Sequence, residues 1–227
     1  MKAHEYCIYC SQPLYRLSDG MVKCSTCKKK YSPKKYHNDL QIIHAFCDDL
    51  SALSVSKILD TNYHTVKKHF DRFRWLIAKY QEECYLARDC EVSEYEEYFY
   101  LEASKRHDPK SIFDAHNFLT FDYGGMIYTL LMPSLQRHKE QFLADGLEEN
   151  YYKEFSKYIR LNRISKLQHR ENRITRFWNY FEEFILRYKG VSDEFFPYYL
   201  KEAEFKFNHS PQRQREILEK LWLGSKN

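Results

Sequence analysis

Glycine and proline are scarce in this chain, with six of each in 227 residues. So few breakers exclude a collagenous or low-complexity polypeptide and favour compact helices and strands joined by short loops. Long apolar runs are also missing: no stretch approaches the roughly 18 uninterrupted apolar residues of a membrane span. No apolar signal-peptide core follows Met1, so the expected location is the cytoplasm and no membrane partner is expected. No Gly-rich phosphate loop, no Gly-x-Gly-x-x-Gly segment and no Ser-His-Asp ordering is present, which removes support for nucleotidase, dinucleotide-binding and hydrolase readings. No internal repeat is visible.

Aromatic residues are abundant. Twenty Tyr and 16 Phe help bring the hydrophobic share to 43%, enough for a folded core in a chain of one or two domains. Of the seven cysteines, four form two closely spaced pairs, Cys7-Ile-Tyr-Cys10 and Cys24-Ser-Thr-Cys27. Each pair sets two sulfurs on one tight turn, and the short loop between the turns lets four thiolates close a tetrahedral shell around zinc. The N-terminal segment therefore reads as a zinc ribbon with structural zinc held by Cys7, Cys10, Cys24 and Cys27. Two disulfides or four unrelated thiols form the alternative, which nothing secreted in the chain favours. Cys47, Cys84 and Cys90 have no such partner, and Cys47 reads as core. With four thiolates available, His4, His37 and His44 are not needed as ligands.

The formal net charge of +4 is small, but its distribution is uneven. Lys28, Lys29, Lys30, Lys34 and Lys35 cluster at the exit of the ribbon, whereas Glu91, Glu94, Glu96, Glu97 and Glu102 cluster later. The lysines suit phosphate, with a solvated basic linker as the alternative; the glutamates suit a metal or a solvated face. Beyond Pro33, apolar residues recur at helical spacing through Leu40, Ile43, Phe46, Cys47 and Leu50. A second helix, capped by Ser51 or Ser54, carries Val55, Ile58 and Leu59, and Asp60, Thr61 and Asn62 form a turn with a new N-cap. A third helix runs from about His64 through Val66, Phe70 and Phe73, while Lys67, Lys68, Arg72 and Arg74 leave a basic surface between the apolar positions. Two helices about a short turn, the second one basic, form a helix-turn-helix pattern. On that pattern Thr65, Lys67, Lys68 and Arg72 reach bases or phosphates of double-stranded DNA, and Lys28, Lys29 and Lys30 hold the backbone.

Past about Cys90 the pattern becomes extended, with strands expected at residues 95–101, 117–121 and 126–132, the last two joined near Gly124 and Gly125. Helices follow at residues 136–158, 173–187 and 194–207. Trp75, Trp178 and Trp222 fall in helical patterns and read as packing anchors rather than base-stacking platforms. The fold class is α+β.

This order of parts meets a distinctive C-terminal string: Asn172-Arg-Ile-Thr-Arg-Phe-Trp178, then Lys189-Gly-Val191, then Tyr199-Leu-Lys-Glu-Ala-Glu-Phe-Lys-Phe-Asn208. It resembles the end of the zinc-ribbon insertion-sequence transposases, DDE-type enzymes with an RNase H-like domain. The resemblance implies a zinc ribbon over residues 1–35, a helix-turn-helix DNA-binding segment over 36–88 and a compact, truncated RNase H-like domain over 89–227. It also implies binding of terminal repeats, followed by strand cleavage and transfer. Two magnesium ions about 4 Å apart would activate the nucleophile and stabilise the leaving oxygen. The family's first carboxylate pair aligns with Glu96 and Glu97, so that Glu96 stands where Asp is usual. The second ligand falls at Asn162, within residues 158–162, and the last at Asn172. Two family positions differ: Thr175 stands where Glu is usual, and Glu182 where Lys is expected. Synapsis of two DNA ends implies at least a homodimer. A transposase-derived DNA-binding or regulatory protein without catalysis is the alternative, and a zinc-ribbon adaptor for a protein partner is a third class.

Overall fold

The computed structural model describes residues 6–106, 108–144, 150, 152–154, 157, 172–188 and 190–225. They belong to two compact units, one formed by residues 1–79 with 209–227 and the other by residues 80–208. The architecture is mixed α+β, with two small antiparallel sheets and, among the described residues, seven α-helices. No helix among the described residues is long and apolar enough to cross a membrane.

The first unit opens with β1 (Leu14–Arg16), β2 (Val22–Cys24) and β3 (Lys30–Tyr31), antiparallel in the order β1-β2-β3. Gly20 has φ +75° in the turn between β1 and β2, a left-handed conformation that glycine adopts without a Cβ clash. Ser32 caps α1 (Pro33–Cys47) by accepting from the Lys35 N–H at 3.3 Å, and Pro33 occupies the first turn. There its missing N–H costs nothing, because helix starts leave that donor unused. Pro33 thus begins the helix as well as closing the ribbon. Ser51 caps α2 (Ala52–Ile58) through the Ser54 N–H at 3.0 Å. Asp60 then turns left-handed, at φ 46°, and Asn62 Oδ1 accepts from the His64 N–H at 2.8 Å, the expected new cap. The following helix, α3 (Tyr63–Leu86), is longer than the sequence suggests.

Apolar positions Val66, Phe70, Phe73 and Ile77 of α3 are buried. Phe46 meets Phe70 and Phe73 edge-on, with centroids 5.0 and 5.4 Å apart. The last helix, α7 (Pro211–Gly224), brings Trp222 against Phe73 at 5.2 Å. A buried carboxylate, Asp39, joins three helices: it accepts from Trp222 Nε1 at 3.2 Å and faces His69 Nε2 at 3.1 Å. Burying a carboxylate is unfavourable unless donors surround it; here Trp222 Nε1 donates from α7 while the His69 ring faces it from α3.

The second unit is built on β4 (Val92–Tyr100), β5 (His116–Tyr123) and β6 (Met126–Leu131), an antiparallel meander in the order β4-β5-β6. Gly124 and Gly125 turn the β5–β6 hairpin at φ 57° and 79°, the double positive φ that a tight hairpin needs. These strands match the expected segments to within a few residues. Among the described residues, α4 (Lys139–Ala144) follows the sheet. Then α5 (Arg173–Ile185) buries Ile174, Phe177, Trp178, Phe181, Phe184 and Ile185, an apolar stripe recurring every three or four residues. It packs on the sheet: Trp178 stacks on Tyr98 at 4.7 Å and Phe181 meets Phe118 at 5.7 Å. Each such buried ring contributes roughly 2–3 kcal/mol.

Strand β6 lies at the edge of this sheet, and α6 (Phe196–Asn208) satisfies its outer backbone groups with side chains. Asn208 accepts from Ile127 N at 2.8 Å and donates to Ile127 O at 2.6 Å. Glu204 accepts from Thr129 N at 2.8 Å, and Lys201 donates to Thr129 O at 2.6 Å. The Asn208 amide thus takes the place of a neighbouring strand's peptide group, which protects an otherwise unpaired edge. Truncating it leaves two backbone groups without partners. Asn208→Ala is expected to lower stability by about 2 kcal/mol, and urea unfolding monitored on the second unit measures it; a change under half that size would assign the edge groups to solvent.

Candidate functional site

The two Cys-x-x-Cys turns converge. Sγ atoms of Cys7, Cys10, Cys24 and Cys27 all lie within 4.8 Å of one another, with Cys7–Cys27 at 3.7 Å and Cys10–Cys24 at 3.4 Å. All four are free thiols, far beyond the S–S separation of about 2.05 Å in a disulfide. A zinc ion with Zn–S bonds of about 2.3 Å needs sulfurs about 3.8 Å apart, so the donor set fits that ion with little adjustment. Cys7 and Cys24 are buried while Cys10 and Cys27 are half-buried. Backbone N–H groups point at the sulfurs: Tyr9 N at Cys7 Sγ, and Thr26 N and Cys27 N at Cys24 Sγ, each at 3.4 Å. Burial pushes the Cys24 thiol up, but hydrogen bonds from the N–H groups of Cys27 and Thr26 and from the Cys10 and Cys27 thiols together bring it down to about 6. The residue after each pair is left-handed, Ser11 at φ 55° and Lys28 at φ 62°. That repeated kink is what folds each pair back towards the centre.

The lysine run beside this centre is partly engaged within the protein. Lys28 donates to Ser25 O, Lys29 sits 4.3 Å over the Tyr9 ring and Lys30 pairs with Asp19 at 2.7 Å. That pairing, with the Met21 N–H, holds the Asp19 carboxyl below its ordinary range. On α3, Thr65, Lys67, Lys68 and Arg72 are all exposed. Lys67 pairs with Asp71 at 3.3 Å; Arg74, expected on the basic surface, is instead buried and pairs with the same carboxylate at 3.2 Å. Trp75 corrects one expectation. It is no packing anchor, since 40% of it is exposed, against 0% for Trp178 and 9% for Trp222. Its position alone signalled this, because it falls off the stripe of Val66, Phe70, Phe73 and Ile77.

In the second unit, side chains alternate along β4. Tyr98 packs on α5, so Glu96 shares the α5 face and Glu97 takes the other. An ion held by Glu96 is therefore out of reach of its neighbour. Asn172, at the start of α5, forms a capping box: Thr175 N donates to Asn172 Oδ1 at 2.8 Å and Asn172 N to Thr175 Oγ1 at 3.1 Å. Thr175, where the resemblance leads one to expect Glu, thus has a structural use, and the Asn172 oxygen serves the cap. Glu182 accepts from Tyr98 Oη at 2.6 Å and pairs with Arg106 at 3.1 Å. Asn162 and the strand expected around it lie outside the described residues. Among the described residues the cysteines are the one group of three or more Cys, His, Asp or Glu side chains whose ligand atoms gather. Among the described residues, Glu96, Glu97 and the capped Asn172 do not gather as a donor set for two magnesium ions.

Sequence reasoning missed the polar residues of α6. Lys206 and Glu202 are both buried and paired at 3.1 Å, and Lys201 with Glu204 serves the edge of β6.

No protein-family model matches the chain, and no solved structure matches it. A curated protein of Haemophilus influenzae, an uncharacterized transposase-like protein, is 36% identical over 76 residues, which are 32% of this chain. The chain spans 61% of that relative's length. This likeness and the four-cysteine cluster both fit a zinc-ribbon transposase.

Proposed function

We propose that this chain is a transposase-related protein: a zinc ribbon and a helix-turn-helix, α2 and α3, bind double-stranded DNA at an element's terminal repeats. The second unit is its RNase H-like, strand-processing part. The observation that carries the reading is the exposed basic face of α3, set behind an Asn62-capped turn in the same unit as the cysteine cluster. The transposase-like relative supports the kind of DNA involved. Zinc in this reading is structural, closing the ribbon through Cys7, Cys10, Cys24 and Cys27. Lys28, Lys29 and Lys30 add phosphate contacts once the duplex competes for them, while Thr65, Lys67, Lys68 and Arg72 face the groove and its rims. Joining two ends requires two copies of the chain.

Within the second unit, Glu96 is the carboxylate best placed for chemistry, being on the α5 face near the start of that helix. The alternative, a DNA-binding derivative without strand cleavage, is favoured by one observation: the Asn172 side-chain oxygen is already used as a helix cap. Incubating the full chain with labelled duplexes from its own gene flanks, plus magnesium or manganese, separates the two. Cleavage at repeat ends that Glu96→Ala reduces by at least about 100-fold is the expected result for an active enzyme. Specific binding without cleavage assigns the derivative. An unchanged affinity and salt dependence in a Lys67→Ala/Lys68→Ala double variant would sink the DNA reading in favour of a protein partner.

A further inference from the structure

We propose that Arg72 and Trp75 form a duplex-DNA backbone clamp on α3, with the indole holding the guanidinium against a phosphate. This rests on reading α3 as the DNA-binding helix and extends the contact surface from its first three turns to its fourth.

Three observations carry it. Trp75 is the exposed tryptophan of the three, at 40%, and leaving an indole in water forgoes the burial its large ring would give. The Arg72 guanidinium carbon lies 4.1 Å from the Trp75 ring centroid, a cation–π stack that orients a long, flexible side chain in advance. Asp71, the neighbouring acid, is taken by Lys67 and Arg74. Among the described residues Arg72 has no carboxylate partner. A stacked guanidinium keeps its in-plane N–H fork for an acceptor, and two oxygens of one phosphate match that fork.

The placement fits a duplex. Thr65, Lys68, Arg72 and Trp75 follow one another at spacings of three and four residues, so they share one face of the helix. From Thr65 to Trp75 that face runs about 15 Å at 1.5 Å per residue, slightly more than the roughly 12 Å width of a major groove. A helix entering by its N-terminus sets Thr65 and Lys68 towards base edges and brings Arg72 and Trp75 to the phosphates at the rim. The positive face complements a polyanion, which selects nucleic acid over an apolar protein groove as its occupant.

Tryptophan emission of the full-length protein reads this directly, because acrylamide reaches Trp75 and not the two buried tryptophans. The probes are a duplex from the flanks of its own gene, an unrelated duplex and the matching single strand. Duplex binding is expected to shield Trp75 from acrylamide. Trp75→Ala and Arg72→Lys are each expected to weaken duplex affinity about threefold to tenfold, and Arg72→Ala to lower the salt slope by about one phosphate. Unchanged thermal unfolding of the Arg72 variants keeps the comparison valid should Trp75→Ala prove unstable. Normal duplex affinity and unchanged acrylamide access in the presence of DNA would overturn the clamp while leaving α3 as the binding helix. Weakened single-strand binding with unaltered duplex binding would likewise overturn it, in favour of base stacking. Failure of the wild-type chain to bind any duplex would remove the underlying reading and the clamp together.

Discussion

Cys24→Ser is expected to strip the protein of stoichiometric zinc and to unfold the ribbon while the second unit stays folded. The three strands of the ribbon hold three, three and two residues, and its buried apolar positions are few: Cys7, Val22, Cys24 and Tyr31. So small a core does not offset the chain entropy of ordering the segment. The metal must supply the difference, and structural zinc binds zinc-finger peptides with about 10–16 kcal/mol near pH 7. Cys24 is the most consequential ligand, since it is the most buried of the four and two backbone N–H groups converge on its sulfur, hydrogen bonding that favours the thiolate zinc requires. Metal analysis of the purified protein and amide exchange over β1 to β3 measure the outcome. A full zinc equivalent in the serine variant, or unchanged exchange protection, would overturn the zinc assignment. A strong chelator applied to the wild-type chain should reproduce the variant, and more readily at lower pH, where protons compete for the thiolates.

A second large effect is expected at a position that does not touch the metal. Lys201→Met leaves the buried Glu204 carboxylate without its counter-ion, although Thr129 still donates to it through N–H and Oγ1 at 2.8 and 2.6 Å. Breaking a buried pair from one side costs about 3 kcal/mol or more. Adding Glu204→Gln should recover part of that loss: the Gln carbonyl can accept from Thr129 N–H, and its amide can donate to the carbonyl that Lys201 served. The deficit also has a predictable pH dependence. Burial already raises the Glu204 carboxyl above its ordinary 4.5, with Lys201 pulling it back. Without Lys201 the folded chain retains a proton that the unfolded chain releases above about 4.5, so stability falls as pH rises through that window. The gap between Lys201→Met and wild type should therefore narrow on acidification towards pH 4.5. Urea unfolding at a series of pH values tests this; a pH-independent deficit, or a double variant weaker than the single, would show that the pair is not coupled as described.

What the sequence disclosed, and what it withheld, follows from the range of the interactions involved. The cysteine centre was legible because each half is a local turn with fixed chemistry. The strands β4 to β6 were legible because aromatic residues alternate along them and Gly124-Gly125 marks the hairpin. The stripe of Ile174, Phe177, Trp178 and Phe181 announced α5. Polar residues were harder. Lys201, Glu204 and Asn208 stand in an expected helix with nothing local to mark their role, and only the position of a strand edge reveals them as backbone partners. Helix α7 itself was missed, since the expected helices end at residue 207, and nothing in the spacing of Ile217, Leu218 and Trp222 names α1 and α3 as the surface they cover. Parity along β4 was enough to place Glu96 and Glu97 on opposite faces once Tyr98 was known to point inward. Which face held α5 required the structure.

The late arrival of α7 has a consequence for synthesis. Asp39 and Phe73 both meet Trp222, so the first unit waits, during translation, for a partner made more than a hundred residues after its other helices. Until then a carboxylate and several rings of the first unit stay uncovered on the nascent chain, a state that invites chaperones or aggregation. A fragment ending at residue 88 would make that state permanent, whereas the same fragment joined by a short linker to residues 209–225 would restore the missing wall.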